Sequence, residues 1–168
     1  TPEADLVIND VRYDNVLPWP PQADGFGPSL QLVDATKDTY RVGNWASTTT
    51  NDLNRVTPGR TNSVRQTLSA FPLVWINEVL ANNVAGPKDN AGDHDPFIEL
   101  YNSGESAADL SAMYLTDNTT NLTRWQFPLG TTIGAKQFLT IWADGEANET
   151  AAGSLHTTFR LGATGGFV

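Results

Sequence analysis

Two glutamates in neighbouring strand-like runs are the first candidates for chemistry. Glu78 lies in residues 74–80 and Glu99 in residues 97–102, and both runs are rich in β-branched and aromatic residues. Adjacent strands could hold the two carboxylates at the separation that glycoside hydrolysis requires. Glu78 also alternates with Ile76 and Leu80, which predicts a place near the core side, where it accepts backbone N–H groups. We favour this structural interpretation and predict no catalytic residues and no enzymatic activity.

The loop between these two runs offers oxygen ligands for a cation. It carries three aspartates, an asparagine and a glycine within residues 89–95. Alternating acidic side chains and carbonyl groups suit Ca²⁺, which takes about six to eight oxygen ligands. The spacing differs from that of an EF-hand loop, because no glutamate stands at the closing position. We predict Asp89, Asp93 and Asp95 as metal ligands, with a solvated acidic hairpin loop as the alternative and no other cofactor.

The histidines give weaker signals. His94 and His156 are the only two in the chain, too few for a histidine-based zinc centre. No Gly-x-Ser-x-Gly motif marks a nucleophilic serine. We therefore expect His156, placed before a predicted strand at residues 157–159, to have a structural role.

Trp19 is the aromatic residue most suited to contact a ligand. It lies among prolines in residues 18–21, where a chain is extended and a ring is readily exposed. Exposed tryptophans bind sugar rings, so we predict Trp19 as a ligand contact. The alternative is a buried ring that anchors the loop.

Composition excludes several classes of function. The chain has 168 residues, is 39% hydrophobic and has a formal net charge of -9. Such an acidic chain repels phosphate backbones, so we expect no nucleic-acid partner, whereas divalent cations and basic partners fit the charge. The absence of cysteine excludes disulfides, and no apolar run is long enough for membrane insertion. The few Lys and Arg and the many Thr, Asn and Gly are typical of an extracellular or cell-surface protein.

Short strands must position these residues. Apolar alternation with frequent turn residues predicts an all-β sandwich. A polar stretch at residues 66–72 is predicted to be a linker. The terminal residues 165–168 resemble a turn that enters a strand, and the first residue is not methionine, so we expect an excised or processed fragment. The predicted strands are residues 6–13, 29–33, 74–80, 97–101, 112–116, 125–127 and 138–142.

Ordered sequence blocks resemble a known family, the bacterial lamin tail domain. The blocks are residues 76–79, 95–102, 109–117, 125–131, 142–145 and 155–161. Together they cover the start of such a domain, so residues 73–168 are its predicted opening segment. The resemblance implies an immunoglobulin-like β-sandwich of lamin-tail type. It also implies structural positions for the two glutamates.

Residues 1–65 resemble the closing segment of the same family, through blocks within residues 7–62. The order is therefore inverted, with a domain end before a domain beginning. The chain either spans two successive repeats or forms one circularly permuted sandwich, and we favour the permuted sandwich for the folded object. Permutation is feasible because domain termini often lie close together. The same exchange between two chains would give a strand-swapped dimer.

The family resemblance and the lack of a catalytic constellation together imply a function. We expect a non-catalytic extracellular interaction, adhesion or structural module of a larger multidomain bacterial protein, with a protein or glycan partner. The alternative is a carbohydrate-binding or Ca²⁺-assisted surface module.

Overall fold

The computed structural model describes residues 11–168 and divides the chain into two compact units. The first extends to Ala70 and the second comprises Phe71–Val168. The boundary falls within the predicted linker at residues 66–72. Most of the predicted strand at residues 6–13 lies outside the described residues, and residues 11–13 are not in a strand. Packing of both segments as one sandwich stays a prediction.

The regular structure of the described residues is almost entirely β. Short 3₁₀ turns lie at Pro21–Ala23, Val42–Asn44 and Ala147–Glu149. The all-β class predicted from the alternating apolar pattern is confirmed. Within the described part of the chain, no helix is long and apolar enough to cross a membrane. The strands are β1 (Gln31–Leu32), β2 (Trp45–Ala46), β3 (Val74–Leu80), β4 (Phe97–Asn102), β5 (Ala108–Asp109), β6 (Tyr114–Leu115), β7 (Trp125–Gln126), β8 (Thr132–Ile133), β9 (Phe138–Trp142) and β10 (Leu155–His156).

Buried polar side chains hold the first unit together around the β1–β2 pair. Asn44 is fully buried, accepts the Asp34 N–H through Oδ1 at 2.8 Å and donates to two carbonyls, those of Asp34 and Asp38. Asp34 in turn accepts the backbone N–H of Leu68 at 3.0 Å and two hydrogen bonds from Thr36. These donors, the Leu68 N–H foremost, lower the pKa of Asp34 to about 2. The ionised carboxylate therefore stabilises this unit.

The second unit is built on a four-stranded sheet with the order β10-β9-β4-β3. Strands β3, β4 and β9 pair antiparallel, whereas β10 runs parallel to β9. Ile98 and Leu100 of β4 and Ile141 of β9 point to the inner face and are buried. Two two-stranded sheets, β5–β8 and β6–β7, contribute the rest of the core. The buried cluster contains Ile98, Leu100, Leu110, Leu115, Trp125, Phe127, Ile133, Ile141, Ala143, Phe159 and Leu161.

A β-bulge in β3 places Glu78 on the outer face of the sheet. The register pairs Ile76 with Leu100 and then Glu78 with Glu99, so Asn77 is the extra residue. Simple alternation would place Glu78 on the same face as Ile76. The predicted position of Glu78 near the core side is therefore wrong, and its side chain is exposed.

Asn102, at the end of β4, connects the loop that follows β4 to the end of β8 in the second unit. Its Nδ2 group donates to the carbonyls of Ser106, Ile133 and Gly134 at 2.8, 3.0 and 3.1 Å. Its Oδ1 accepts the Gly104 N–H at 2.9 Å. The residue is 1% exposed, so these partners replace water completely.

Two predicted strands near the C-terminus are wrong. The strand expected at residues 157–159 lies instead at Leu155–His156, where it continues the sheet beside β9. Residues 165–168 contain no strand; the Gly165 N–H bonds the Gly162 carbonyl in a turn, and the chain continues without a strand partner. The side chain of Val168 packs against the core cluster.

Candidate functional site

A buried ion pair lies at the C-terminal end of β9. Asp144 follows β9 by two residues, and His156 lies on the parallel neighbour β10. Asp144 Oδ2 is 2.6 Å from His156 Nδ1, and both side chains are 0% exposed. The Trp142 ring stacks beside the imidazole with its centroid 6.4 Å away. The parallel pairing of β9 and β10 therefore places Asp144, in the loop after β9, in buried contact with His156 of β10.

Both ring nitrogens of His156 have hydrogen-bond partners. Nε2 lies 2.6 Å from Asn90 Oδ1, and Nδ1 lies 2.6 Å from the Asp144 carboxylate. The Asn90 amide is oriented because its Nδ2 donates to the Glu149 carbonyl at 3.1 Å. The buried imidazole is therefore held on both sides by polar groups of neighbouring loops.

Ser154 completes an arrangement that resembles a Ser-His-Asp triad. Its Oγ is 3.1 Å from His156 Nε2 and donates to Asn90 Oδ1 at 2.6 Å. A triad needs a neutral imidazole that accepts the serine proton at Nε2. Here Nε2 also lies 2.6 Å from Asn90 Oδ1, and the Ser154 hydroxyl donates to that same amide oxygen. The three residues therefore form a hydrogen-bond network that joins two loops.

The sequence analysis missed this network. Ser154 lies directly before β10 and His156 is on it, and their spacing to Asp144 and Asn90 has no recognised pattern. Only the strand pairing brings the four residues together.

The aspartate loop lies against this network and has an unsatisfied carboxylate oxygen. Asp89 Oδ1 accepts the backbone N–H groups of Ala91, Gly92 and Asp93 at 3.0, 2.8 and 2.8 Å. Burial alone would raise the pKa of Asp89, but these bonds outweigh it and lower the pKa. The other oxygen, Oδ2, is closed off from solvent and has no hydrogen-bond partner. One oxygen of Asp89 therefore orders the loop, while the other oxygen has no partner.

Glu149, in the 3₁₀ turn between β9 and β10, also has a carboxylate oxygen without a hydrogen-bond partner. Its Oε2 is also closed off from solvent without a hydrogen-bond partner. Burial, followed by repulsion from Glu146 and Asp89, raises the pKa of the Glu149 carboxyl. The carboxylates of Asp89 and Glu149 thus repel each other, and each has one oxygen without a hydrogen-bond partner.

Two groups of ligand atoms among the described residues could each surround one cation. The first contains Asp89, Glu149 and His156, and the second contains Asp89, Asp95 and Asp144, with the atoms of each group within 4.8 Å of one another. The predicted ligands Asp89 and Asp95 are thus brought together, and Arg160 is 2.7 Å from Asp95 Oδ1. Asp93 is in neither described group and its side chain is exposed. Since Asp144 and Asn90 already contact both ring nitrogens of His156, the remaining ligand atoms are carboxylate oxygens.

An open groove covers the outer face of the four-stranded sheet, with a volume of about 810 Å³. Phe97 and Trp142 line its floor, and Asp89 and Asn90 line its rim, so the groove adjoins the buried network. Glu78 and Glu99 face it side by side, and Asn77 Nδ2 donates to Glu99 Oε1 at 2.8 Å.

Trp19 lies in the first unit against another tryptophan. The ring centroids of Trp19 and Trp45 are 6.5 Å apart at an angle of 51°, and the Trp45 indole donates to the Thr39 carbonyl at 2.9 Å. This contact is compatible with loop anchoring, and ligand contact by Trp19 stays a prediction.

The sequence comparisons identify the family. A model of the Lamin Tail Domain family matches residues 67–165, which is more than half of the chain. No curated protein and no solved structure matches the chain. The match agrees with the β-architecture of the second unit and confirms the predicted immunoglobulin-like fold type. The chain therefore belongs to the lamin tail domain family.

Proposed function

We propose that the chain is a non-catalytic, extracellular interaction module of a larger bacterial protein. The single observation that carries this proposal is the open groove on the outer sheet face, since its floor belongs to paired strands and is rigidly positioned. The family supports an interaction or structural module with an immunoglobulin-like fold. The composition of the chain supports the extracellular location.

The chemistry of the site supports a function without catalysis. The Ser154 hydroxyl donates to the Asn90 amide oxygen, an acceptor that does not activate a nucleophile. Glu78 is exposed and stands directly opposite Glu99 in the strand register. The Glu99 oxygen accepts a hydrogen bond from a neutral amide of the same sheet. These contacts order the surface around the groove.

Probe arrays test whether the groove binds a partner. The whole chain would be applied to a peptide array and a glycan array, together with Phe138→Asp, Trp19→Ala and Tyr40→Ala. Phe138 lines the groove and is 55% exposed, whereas Tyr40 is an exposed aromatic of the first unit. We expect binding to at least one probe class that Phe138→Asp abolishes and Tyr40→Ala retains. Binding lost only in Trp19→Ala would move the site to the first unit and refute the groove.

A Ca²⁺-assisted surface module is the second candidate function, favoured by the two unsatisfied carboxylate oxygens. Asp89 Oδ2 and Glu149 Oε2 are hard oxygen donors without a partner, and a divalent cation would offset their repulsion. We expect a weak site, with a dissociation constant of about 10⁻⁴–10⁻³ M, the range of extracellular modules.

Thermal unfolding with and without Ca²⁺ tests this candidate. At 10 mM Ca²⁺ such affinities stabilise the folded state by about 1.4–2.7 kcal/mol, or roughly 6–20 °C for a unit of this size. Asp89→Asn should remove the shift, whereas Asp93→Asn should retain it if Asp93 is not a ligand. An unchanged melting temperature in 10 mM Ca²⁺ would refute the cation site.

The remaining partner predictions have direct measurements. Light scattering tests the strand-swapped dimer, and a gel shift at physiological salt tests the expected absence of nucleic-acid binding.

A further inference from the structure

The outer sheet face carries three exposed or half-buried aromatic rings in one row. The strand register places Trp75 of β3 beside Tyr101 of β4, and Tyr101 beside Phe138 of β9. Tyr101 and Phe138 are stacked with centroids 4.7 Å apart. Phe138 is 55% exposed and lines the groove, so its ring presents flat surface to a ligand.

Two carboxylates stand in the next row along the same face. Glu78 is opposite Glu99, and Glu99 is opposite Thr140. Directly opposed like charges destabilise a strand pair, and the donor placed on Glu99 is the neutral Asn77 amide. Lys88 lines the groove, but its ammonium donates to the Gly92 carbonyl at 2.8 Å. A cationic ligand would therefore relieve a repulsion built into the sheet.

The spacing of the two rows fits one type of side chain. Alternate residues on a strand are about 6.6–6.8 Å apart, so a ligand lying on the aromatic row reaches the carboxylate row. A guanidinium is planar, stacks on aromatic faces and donates two parallel hydrogen bonds to a carboxylate. A neutral ligand would satisfy the rings and leave the carboxylate pair uncompensated.

We propose that the groove binds an extended, arginine-containing segment of a protein partner, with guanidinium groups on the Phe138 ring and the Glu78–Glu99 pair. The proposal rests on the proposed function as an interaction module and names the chemistry of its partner. The net charge of -9 adds long-range attraction for such a basic segment.

Peptide titration tests the proposal on the whole chain. The probe is a fluorescein-labelled hexapeptide of alternating Gly and Arg, measured by anisotropy at 50 and 300 mM NaCl, with Gly-Lys and Gly-Asp versions. We expect binding of the Arg peptide that weakens with salt, weaker binding of the Lys peptide, and none of the Asp peptide. Glu78→Gln with Glu99→Gln, and separately Phe138→Ala, should each weaken binding at least fivefold.

Matched controls distinguish binding in the groove from general electrostatic attraction to an acidic chain. Glu105→Gln removes an exposed carboxylate, 88% exposed at its side chain and outside the groove, and should leave the affinity unchanged. Equal weakening by Glu105→Gln would reduce the effect to net charge and overturn the proposal. Circular dichroism of each variant confirms that the fold is retained.

A neutral oligosaccharide distinguishes failure of this proposal from failure of the proposed function. If cellohexaose binds, Phe138→Ala abolishes its binding and the glutamine pair leaves it unchanged, the groove is a neutral-sugar site. The basic partner is then overturned and the interaction function stands. If neither probe nor either array shows binding that depends on Phe138, both proposals fail.

Discussion

Replacing Asp144 with asparagine tests the buried ion pair at the end of β9. The carboxylate is 0% exposed, accepts a hydrogen bond from His156 at 2.6 Å and also accepts the Glu146 N–H at 2.9 Å. The asparagine side chain would have nearly the same shape but no charge, so the buried His156 ring would lose its charged hydrogen-bond partner. Breaking such a pair costs about 3–5 kcal/mol, a large share of the roughly 5–15 kcal/mol typical of a domain.

Urea unfolding followed by the NMR amide peaks of β4 and β9 measures this loss in the second unit alone. Asp109→Asn is the matched control, because Asp109 is an exposed aspartate that accepts two hydrogen bonds from Ser111. We expect the control to lose about 1 kcal/mol or less. A loss in Asp144→Asn no larger than in the control would refute the charged pair.

A double-mutant cycle measures the coupling between Asp144 and His156. His156→Gln combined with Asp144→Asn should cost less than the sum of the single losses, with a coupling of about 1–3 kcal/mol. Additive losses would show that the two buried side chains contribute independently.

Three further predictions concern other polar groups. The pKa of Asp34 is lowered from 3.8 to about 2. The contribution of this carboxylate to the free energy of unfolding is therefore fully present above its unfolded-state pKa and is lost as the pH falls toward the folded-state pKa. Asp34→Asn should reduce the loss of stability of the first unit at acid pH. Asn102→Ala leaves several buried groups without partners and should cost at least about 2 kcal/mol in urea unfolding, and a smaller loss would mean that water replaces the amide. The pKa of Glu149 is raised in the folded state, so the free energy of unfolding falls as the pH rises from the unfolded-state pKa of this residue toward its folded-state pKa. Glu149→Gln should therefore melt higher than the wild type at pH 7 with chelator and lose the Ca²⁺ response; lower melting with chelator would contradict this sign.

The long strands of the second unit could be predicted because their signal is local. The runs at residues 74–80, 97–101 and 138–142 alternate clearly, and they coincide closely with β3, β4 and β9. Ile98 and Leu100 share one face of β4, and both are buried. The strand at Leu155–His156 is only two residues long and is defined by its pairing with β9, so its sequence alone did not place it.

The bulge shows where alternation stops being informative. One additional residue at Asn77 reverses the facing of every later side chain in β3, and the apolar pattern around it contains no turn residue that marks the change. Glu78 consequently joins Glu99 on the outer face, where the two carboxylates form part of a groove. The same bulge therefore explains both why Glu78 is not on the predicted core side and why it forms an acidic pair with Glu99.

The aspartate loop is ordered by its own backbone, and this constrains what a cation could do there. Asp89 Oδ1 accepts three backbone N–H groups, and the Asp89 N–H closes the loop on the Asp93 carbonyl at 3.0 Å. The opposite loop is connected through Asn90, whose amide bonds the Glu149 carbonyl. The loop geometry therefore does not require a metal, and a cation bound at Asp89 Oδ2 would add stability without creating the fold. Amide exchange in Ala91, Gly92 and Asp93 should accordingly stay slow in chelator and change little with Ca²⁺, even where the melting temperature rises; rapid exchange without Ca²⁺ would show instead that the cation orders the loop.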